Sequence, residues 1–404
     1  MRFTEERRHV PTSRQELSTV QSVPSQAADR ILSEIKALAP TIAARADEAE
    51  AARRIPADIF RMLKSAGIFR MTAPQDHGGL ELDFPAVTSV LQALAKIDGS
   101  IGWISMLASG AATITPLLPR ETCEEAYRSG PDRLFAGSGQ PAGTAVAEAS
   151  GFRVNGRWPF ASGCADADWI MGMCVLTEDG KPVPGPAEGV PATRGVCLPA
   201  RDWEIEDTWR APGLRATGSH HIVLKDKFVP VENTIDMASA RPYLRGPLYG
   251  SPMQFVSLLH GSFALGLAQG ALEDLIAIAQ SGRKQQQAAV SMQNSEIFHY
   301  DLGRVHAEFR AAQSMYDAQT ASHWRHALAG TLNGEALLAE ATQSMVWVTG
   351  ACLRVVQTCF ALAGSAAVSD SVPLQRRLRD IQTAAQHAAV QQNRYAKAGK
   401  LLVV

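Results

Sequence analysis

Apolar residues recur at three- and four-residue intervals from Ala27 to about Phe69. Ile31, Ile35, Leu38, Ile42, Ile59, Phe60 and Leu63 mark a helical face. Pro56 suits a first helical turn, with Asp58 just behind it, and Gly67 suits the helix end. The turn-rich run Pro74–Gly79 interrupts the pattern. Further helices are predicted over Phe84–Ile97, Ser100–Ala112 and Glu121–Tyr127. From about Leu134 to Pro230 the spacing becomes strand-like. Short alternating runs flank Asn155-Gly156, which predicts a hairpin turn at that dipeptide. Trp169–Leu176, Gly195–Leu198, Trp203–Trp209 and His220–Val229 read as further strands of a small antiparallel β domain. Helical spacing then returns over Phe255–Ile278, Ser295–Ala327, Leu332–Ala363 and Val372–Tyr395, four long helices with short connections. The predicted architecture is α+β. A flexible N-terminal arm covers 1–24, a helical domain 25–130, a middle antiparallel β domain 131–235 and a C-terminal four-helix bundle 236–404.

Composition narrows the classes this pattern admits. A net charge of −1 leaves no basic excess for a dominant nucleic-acid face. The N-terminus lacks the apolar core of a signal peptide, and no run approaches the ~20 apolar residues of a membrane span. A cytoplasmic protein is therefore expected. Cys123, Cys164, Cys174, Cys197, Cys352 and Cys359 are widely spaced without a CxxC pair, and read as reduced core residues rather than a disulfide framework. Rossmann and P-loop glycine signatures and HExxH are all missing. His220-His221 on a strand point to opposite faces, and His323 and His326 share a helix face without a nearby carboxylate, so no metal site is expected.

Four segments carry the candidate chemistry. They are Lys96–Trp103, Gly137–Thr144, Val154–Trp169, and Gly213–Ser219 leading to Phe228–Asn233. A β domain against a helical bundle leaves a cleft suited to a cofactor. Gly137, Gly139 and Gly143 allow close backbone approach there. Ser162, between Phe160 and Gly163, offers a hydroxyl that donates and accepts without adding charge, although turn hydroxyls commonly serve only the backbone. His387 follows Ala384 and Ala385 and precedes Ala388 and Ala389, small neighbours that would leave room for a ring. On a continuous helix Asp380, Ala384 and His387 share one face, with Asp380 expected to pair with Arg376, Arg377 or Arg379.

The order and spacing of these segments resemble the acyl-CoA dehydrogenase superfamily over residues 30 to 395. The run Trp158–Trp169 is most similar to its flavin-dependent two-component monooxygenase branch. The resemblance implies an acyl-CoA dehydrogenase-like fold and the oxygenase component of such a system. That component uses reduced flavin, FMNH2 or FADH2, and O2 to hydroxylate an aromatic, phenolic substrate through a flavin C4a-hydroperoxide. It also implies a separate NAD(P)H-dependent flavin reductase and a homotetramer. Under it, Ser162 sits near flavin N5 and His387 accepts or holds the phenolic proton. Trp103, Gly139, Pro141, Gly143, Trp158, Gly163 and Arg283 are the further cofactor-binding candidates.

FAD-dependent acyl-CoA dehydrogenation is the competing enzymatic reading. It needs a carboxylate to remove an α-proton. In the common family pattern a glutamate follows the Arg-Asp pair by eight residues. Here Arg379-Asp380 is present, position 388 is alanine, and no glutamate follows Glu340. Glu273, Glu296 and Glu308 remain as alternative bases in the bundle. A non-catalytic flavin-binding or helical interaction protein is the third class.

Overall fold

The computed structural model describes residues 26–403; the expected arm over 1–24 lies outside them. Six helices come first: α1 (Gln26–Ala44), α2 (Ala46–Ala52), α3 (Ala57–Ser65), α4 (Phe84–Ile97), α5 (Gly99–Ile114) and α6 (Arg120–Tyr127). Pro85 occupies the first turn of α4, and Phe84, Val87, Val90, Leu91 and Leu94 face inward. The helical pattern over 27–69 is carried by three helices: Arg53 adopts a left-handed conformation after α2, and Pro56 opens α3 as its position suggested.

An eight-stranded sheet follows. Its strands are β1 (Phe135–Glu148), β2 (Gly151–Ala161), β3 (Trp169–Glu178), β4 (Lys181–Pro182), β5 (Thr193–Pro199), β6 (Glu204–Glu206), β7 (His220–Pro230) and β8 (Thr234–Ile235). The order is β6-β7-β2-β1-β3-β5-β8, with β4 beside β3. The sheet is mixed rather than antiparallel throughout, because β1 and β3 run parallel. The hairpin turn is not at Asn155-Gly156 either. It falls at Ala149-Ser150, between the paired residues Glu148 and Gly151. Asn155 and Gly156 lie inside β2, at an irregularity in its pairing with β7, where Asn155 Oδ1 accepts the Asp226 N–H at 2.7 Å. Gly156 is needed for close approach: a Cβ there would strike the Trp158 ring and the Gly143 backbone.

The bundle contains α7 (Met253–Gln280), α8 (Glu296–Leu328), α9 (Glu335–Ala363) and α10 (Pro373–Ala384), with a short α11 (Tyr395–Leu401) after it. Helices α7 and α9 have the length and hydropathy of a membrane span, which simple run-length inspection of the sequence does not reveal. The most apolar stretch of α7 is 89% buried inside the protein, as befits a bundle's central helix. One apolar core joins α1 and α3–α5 to the bundle, and separate clusters fill the sheet. The six cysteines are free and buried.

Helix α10 is held in place by its arginines. Arg377 crosses Gly270, where a Cβ would overlap the guanidinium, and reaches Asp274 at 2.6 Å and the Lys96 carbonyl at 2.6 Å. Arg379 forks onto Glu50 at 2.9 Å, and Arg376 pairs with Asp47. The expected continuation of this helix to Tyr395 does not occur. The chain leaves helical geometry after Ala385, and His387 is extended.

Candidate functional site

Helix α5 supplies the first side chain. Asp98 accepts the Ile101 N–H at 2.9 Å and caps its opening turn. Trp103, at the start of the next turn, lies at the seam between sheet and bundle. Its Nε1 donates to Ser162 Oγ at 3.1 Å. Its ring meets Phe263 and His260 of α7 and His387 edge-on, with centroids 5.1, 5.6 and 5.5 Å away. Three residues singled out in the sequence, Trp103, Ser162 and His387, thus converge from three separate elements.

Ser162 follows the last residue of β2 and is buried. It begins a directional chain of hydroxyls. Thr217 Oγ1 donates its one proton to the Leu214 carbonyl at 2.8 Å. Its 2.7 Å contact with Ser219 therefore has Ser219 donating, and the 2.7 Å Ser162–Ser219 contact has Ser162 donating. With Trp103 already bonded to it, Ser162 retains one lone pair and no free proton. Beside it Gly163, at φ +74°, turns the chain so that its N–H donates to the Thr217 carbonyl at 2.8 Å.

The neighbouring strands open here. Strands β1 and β2 pair no further than Gly143 opposite Gly156. Beyond that point β1 shifts register on β3 on both sides of Pro141, leaving Gly139 and Pro141 exposed. A Cβ on Gly139 would meet nothing within 4 Å. On β2, Phe160 is 65% exposed at φ +65°, a conformation rarely held by a bulky residue without a local role.

Four expectations need correction. Trp158 does not line the cleft: it is fully buried in the sheet core, where its Nε1 donates to the Met173 carbonyl at 2.6 Å. Gly143 is buried against that ring, where a Cβ would strike it, so its glycine serves the packing of Trp158. Arg283 donates to Ser365 at 2.9 Å beyond the far end of α7. At 1.5 Å per residue, it lies about 30 Å from His260 and cannot join this cluster within one chain. Asp380 forms no ion pair among the described residues. It accepts the Leu214 N–H at 2.6 Å, and burial together with nearby Asp98 pushes it up to about 7.

His387 is not on a helix face. It caps a short turn over Ala388–Val390, its Nδ1 accepting the Ala389 N–H at 3.2 Å. Burial, reinforced by Arg394, lowers its pKa. Its ring lies 4.5 Å from that of His260, tilted by 32°. Sequence reasoning missed His260, because a lone histidine within an apolar helix ordinarily signals core. Burial and His387 hold it near 3, so it is neutral. Its Nδ1 meets the Val256 carbonyl at 3.0 Å, and its Nε2 is buried without a partner among the described residues.

The alternative bases lie elsewhere. Glu273 pairs with Lys96 at 3.1 Å on an exposed face, Glu308 pairs with Arg354 at 2.7 Å, and Glu296 is exposed in the first turn of α8. Among the described residues, no group of three His, Cys, Asp or Glu could hold a metal.

These residues fit a flavin: a strand end with open main chain and an acceptor hydroxyl, walled by an indole. Comparison with known proteins agrees. Residues 28–120 match the model of the acyl-CoA dehydrogenase N-terminal domain, and residues 258–392 match that of its C-terminal domain. Indole-3-acetate monooxygenase of Pseudomonas putida is 29% identical over 359 residues, 89% of this chain and 90% of that protein. XiaF from Streptomyces sp., solved with FADH2 and glycerol, superposes with TM-score 0.87 at 25% identity, covering 93% of this chain and 95% of that one. The 3-HSA hydroxylase of Rhodococcus sp. RHA1 superposes with TM-score 0.84 at 26% identity, covering 93% and 96%.

Proposed function

The chain belongs to the acyl-CoA dehydrogenase superfamily and is the oxygenase component of a flavin-dependent two-component monooxygenase; from that premise we propose that it hydroxylates a phenolic ring. A separate NAD(P)H-dependent reductase supplies its reduced flavin, and it works as a cytoplasmic homotetramer. The observation that carries this reading is the meeting of Trp103, Ser162 and His387 at one seam, with no glutamate of the bundle facing it.

Bound reduced flavin supplies the two electrons with which one oxygen atom of O2 enters the substrate and the other leaves as water. The protein's own groups do the rest. Ser162, its proton committed to Ser219, can only accept from a ligand. That suits the N5–H of a reduced flavin and not the bare N5 of an oxidised one. Gly139, Pro141 and Gly163 offer close main-chain approach at the same strand ends. Trp103, Phe263 and the buried histidines exclude water from the ring's neighbourhood. His387 Nε2 is the ring atom left to meet a substrate oxygen.

The test mixes the protein with FMNH2 or FADH2 anaerobically and then pulses oxygen in the presence of a panel of phenols. The expected result is hydroxylated product with little free hydrogen peroxide. Peroxide release with every phenol, together with anaerobic bleaching of bound FAD by an acyl-CoA, would reverse the assignment to dehydrogenation.

A further inference from the structure

His260 and His387 each have one ring nitrogen assigned by the main chain, and the two assignments are opposite. A carbonyl only accepts, so the 3.0 Å contact with Val256 places the His260 proton on Nδ1 and leaves Nε2 as a bare acceptor. A peptide N–H only donates, so the 3.2 Å bond from Ala389 makes His387 Nδ1 the acceptor and places that ring's proton on Nε2. Burial keeps both rings neutral, so each carries one proton. The rings stand 4.5 Å apart, both edge-on to Trp103. A cavity of about 340 Å³, lined by Val256 and Ala389 but by neither histidine, lies beside the pair.

We propose that His260 Nε2 receives the O–H of the substrate's ring hydroxyl while His387 Nε2–H donates to the same oxygen. This rests on the monooxygenase reading above and deepens it by naming the recognising pair. A phenolic hydroxyl is both donor and acceptor, so it satisfies both histidines at once. An aryl ether satisfies only His387. An aryl amine satisfies His260 but is a poor acceptor for His387. An unpartnered buried acceptor is costly, and that cost makes the pair selective.

The experiment measures binding without turnover, by calorimetry on the anaerobic enzyme loaded with reduced flavin. The probes are p-cresol, p-toluidine and 4-methylanisole. Wild type should bind p-cresol roughly tenfold or more tighter than 4-methylanisole, with p-toluidine between them. His260→Asn keeps a donor where Nδ1 stood but nothing where Nε2 stood, and should bind p-cresol and 4-methylanisole within about threefold of each other. His260→Gln reaches the Nε2 position with an amide oxygen and should restore the preference. Equal binding of p-cresol and 4-methylanisole by wild type overturns the proposal, as does p-toluidine binding no better than 4-methylanisole; neither result needs a variant. A full preference surviving in His260→Asn overturns it too. In either case continued hydroxylation of phenols leaves the monooxygenase reading intact, whereas an enzyme that hydroxylates none of them defeats that reading itself.

Discussion

The direction of the hydroxyl chain gives Ser162 its chemistry. Ser162→Ala removes the acceptor and strips Trp103 Nε1 of its partner. The cost to stability should be about 1–3 kcal/mol, read by urea unfolding. The fraction of oxygen released as hydrogen peroxide should rise several-fold, and unchanged coupling would sink the assigned role. Ser219→Ala is the subtler variant. It frees the Ser162 proton, so Ser162 could then donate to an oxidised flavin. The ratio of oxidised to reduced flavin dissociation constants should fall by roughly tenfold, the worth of about one hydrogen bond. An unaltered ratio would show that the chain's direction does not govern flavin choice. Residues of this kind differ in how far sequence exposes them. Ser162 and Trp103 sit in segments whose spacing is distinctive. His260 does not, since its meaning comes only from Val256 below it and His387 across from it. Trp158 misleads for the converse reason: the glycines around it look like a cofactor loop, yet Gly143, Gly156 and Gly172 make room for its ring.

At the scale of elements, the packing of α10 against the first turn of α5 and the Leu214 loop buries the Asp380 carboxyl beside the half-buried Asp98. Burial first, and Asp98 second, lift Asp380 from an ordinary 3.8 to about 7. The folded state therefore holds this proton more tightly than the unfolded chain does. Its contribution to stability is most favourable below about 4, is lost as pH rises towards 7, and stays lost above that. Asp380→Asn removes the ionisation while keeping an acceptor for Leu214 N–H. Relative to this variant, the wild type should lose stability as pH is raised from 4 to 7. Urea unfolding across that range checks it, and a difference that does not vary with pH would refute it. The same element shows where sequence stops being informative. Helices α4, α7 and α9 follow their apolar spacing closely, because packing and propensity agree along them. After Ala384 the chain still reads as helix, with alanines and no Gly or Pro to break it. It departs because the His387 imidazole takes over the Ala389 N–H, a choice made by tertiary surroundings. Without that departure His387 would not be held beside His260 and Trp103.

At the scale of the whole molecule, the bundle is unevenly covered. The most apolar stretch of α7 is 89% buried, but that of the run Glu335–Val368, α9 with the turn after it, is only 39% buried within one chain. Ala336, Trp347, Arg354 and Ala361 of α9 face outward with Gln343 half-buried among them, and the facing helix α8 leaves Ile297 and Tyr300 exposed. A helix this apolar with one side uncovered is explained when other copies of the chain lie against it. That is the physical content of the homotetramer proposed above. Arg283, stranded beyond the far end of α7, gains a use in the same arrangement, because a phosphate contact from it would have to serve a neighbouring subunit's flavin. Trp347→Glu places a charge in the middle of this outward face, at a side chain that is 37% exposed and outside the apolar core cluster. Sedimentation equilibrium should show wild type as a four-chain species and the variant shifted to smaller ones. Flavin affinity should fall along with the mass if Arg283 acts across the interface, and Arg283→Ala should lower that affinity while leaving the mass unchanged. A wild-type protein that sediments as a single chain would remove both the tetramer and the role given to Arg283.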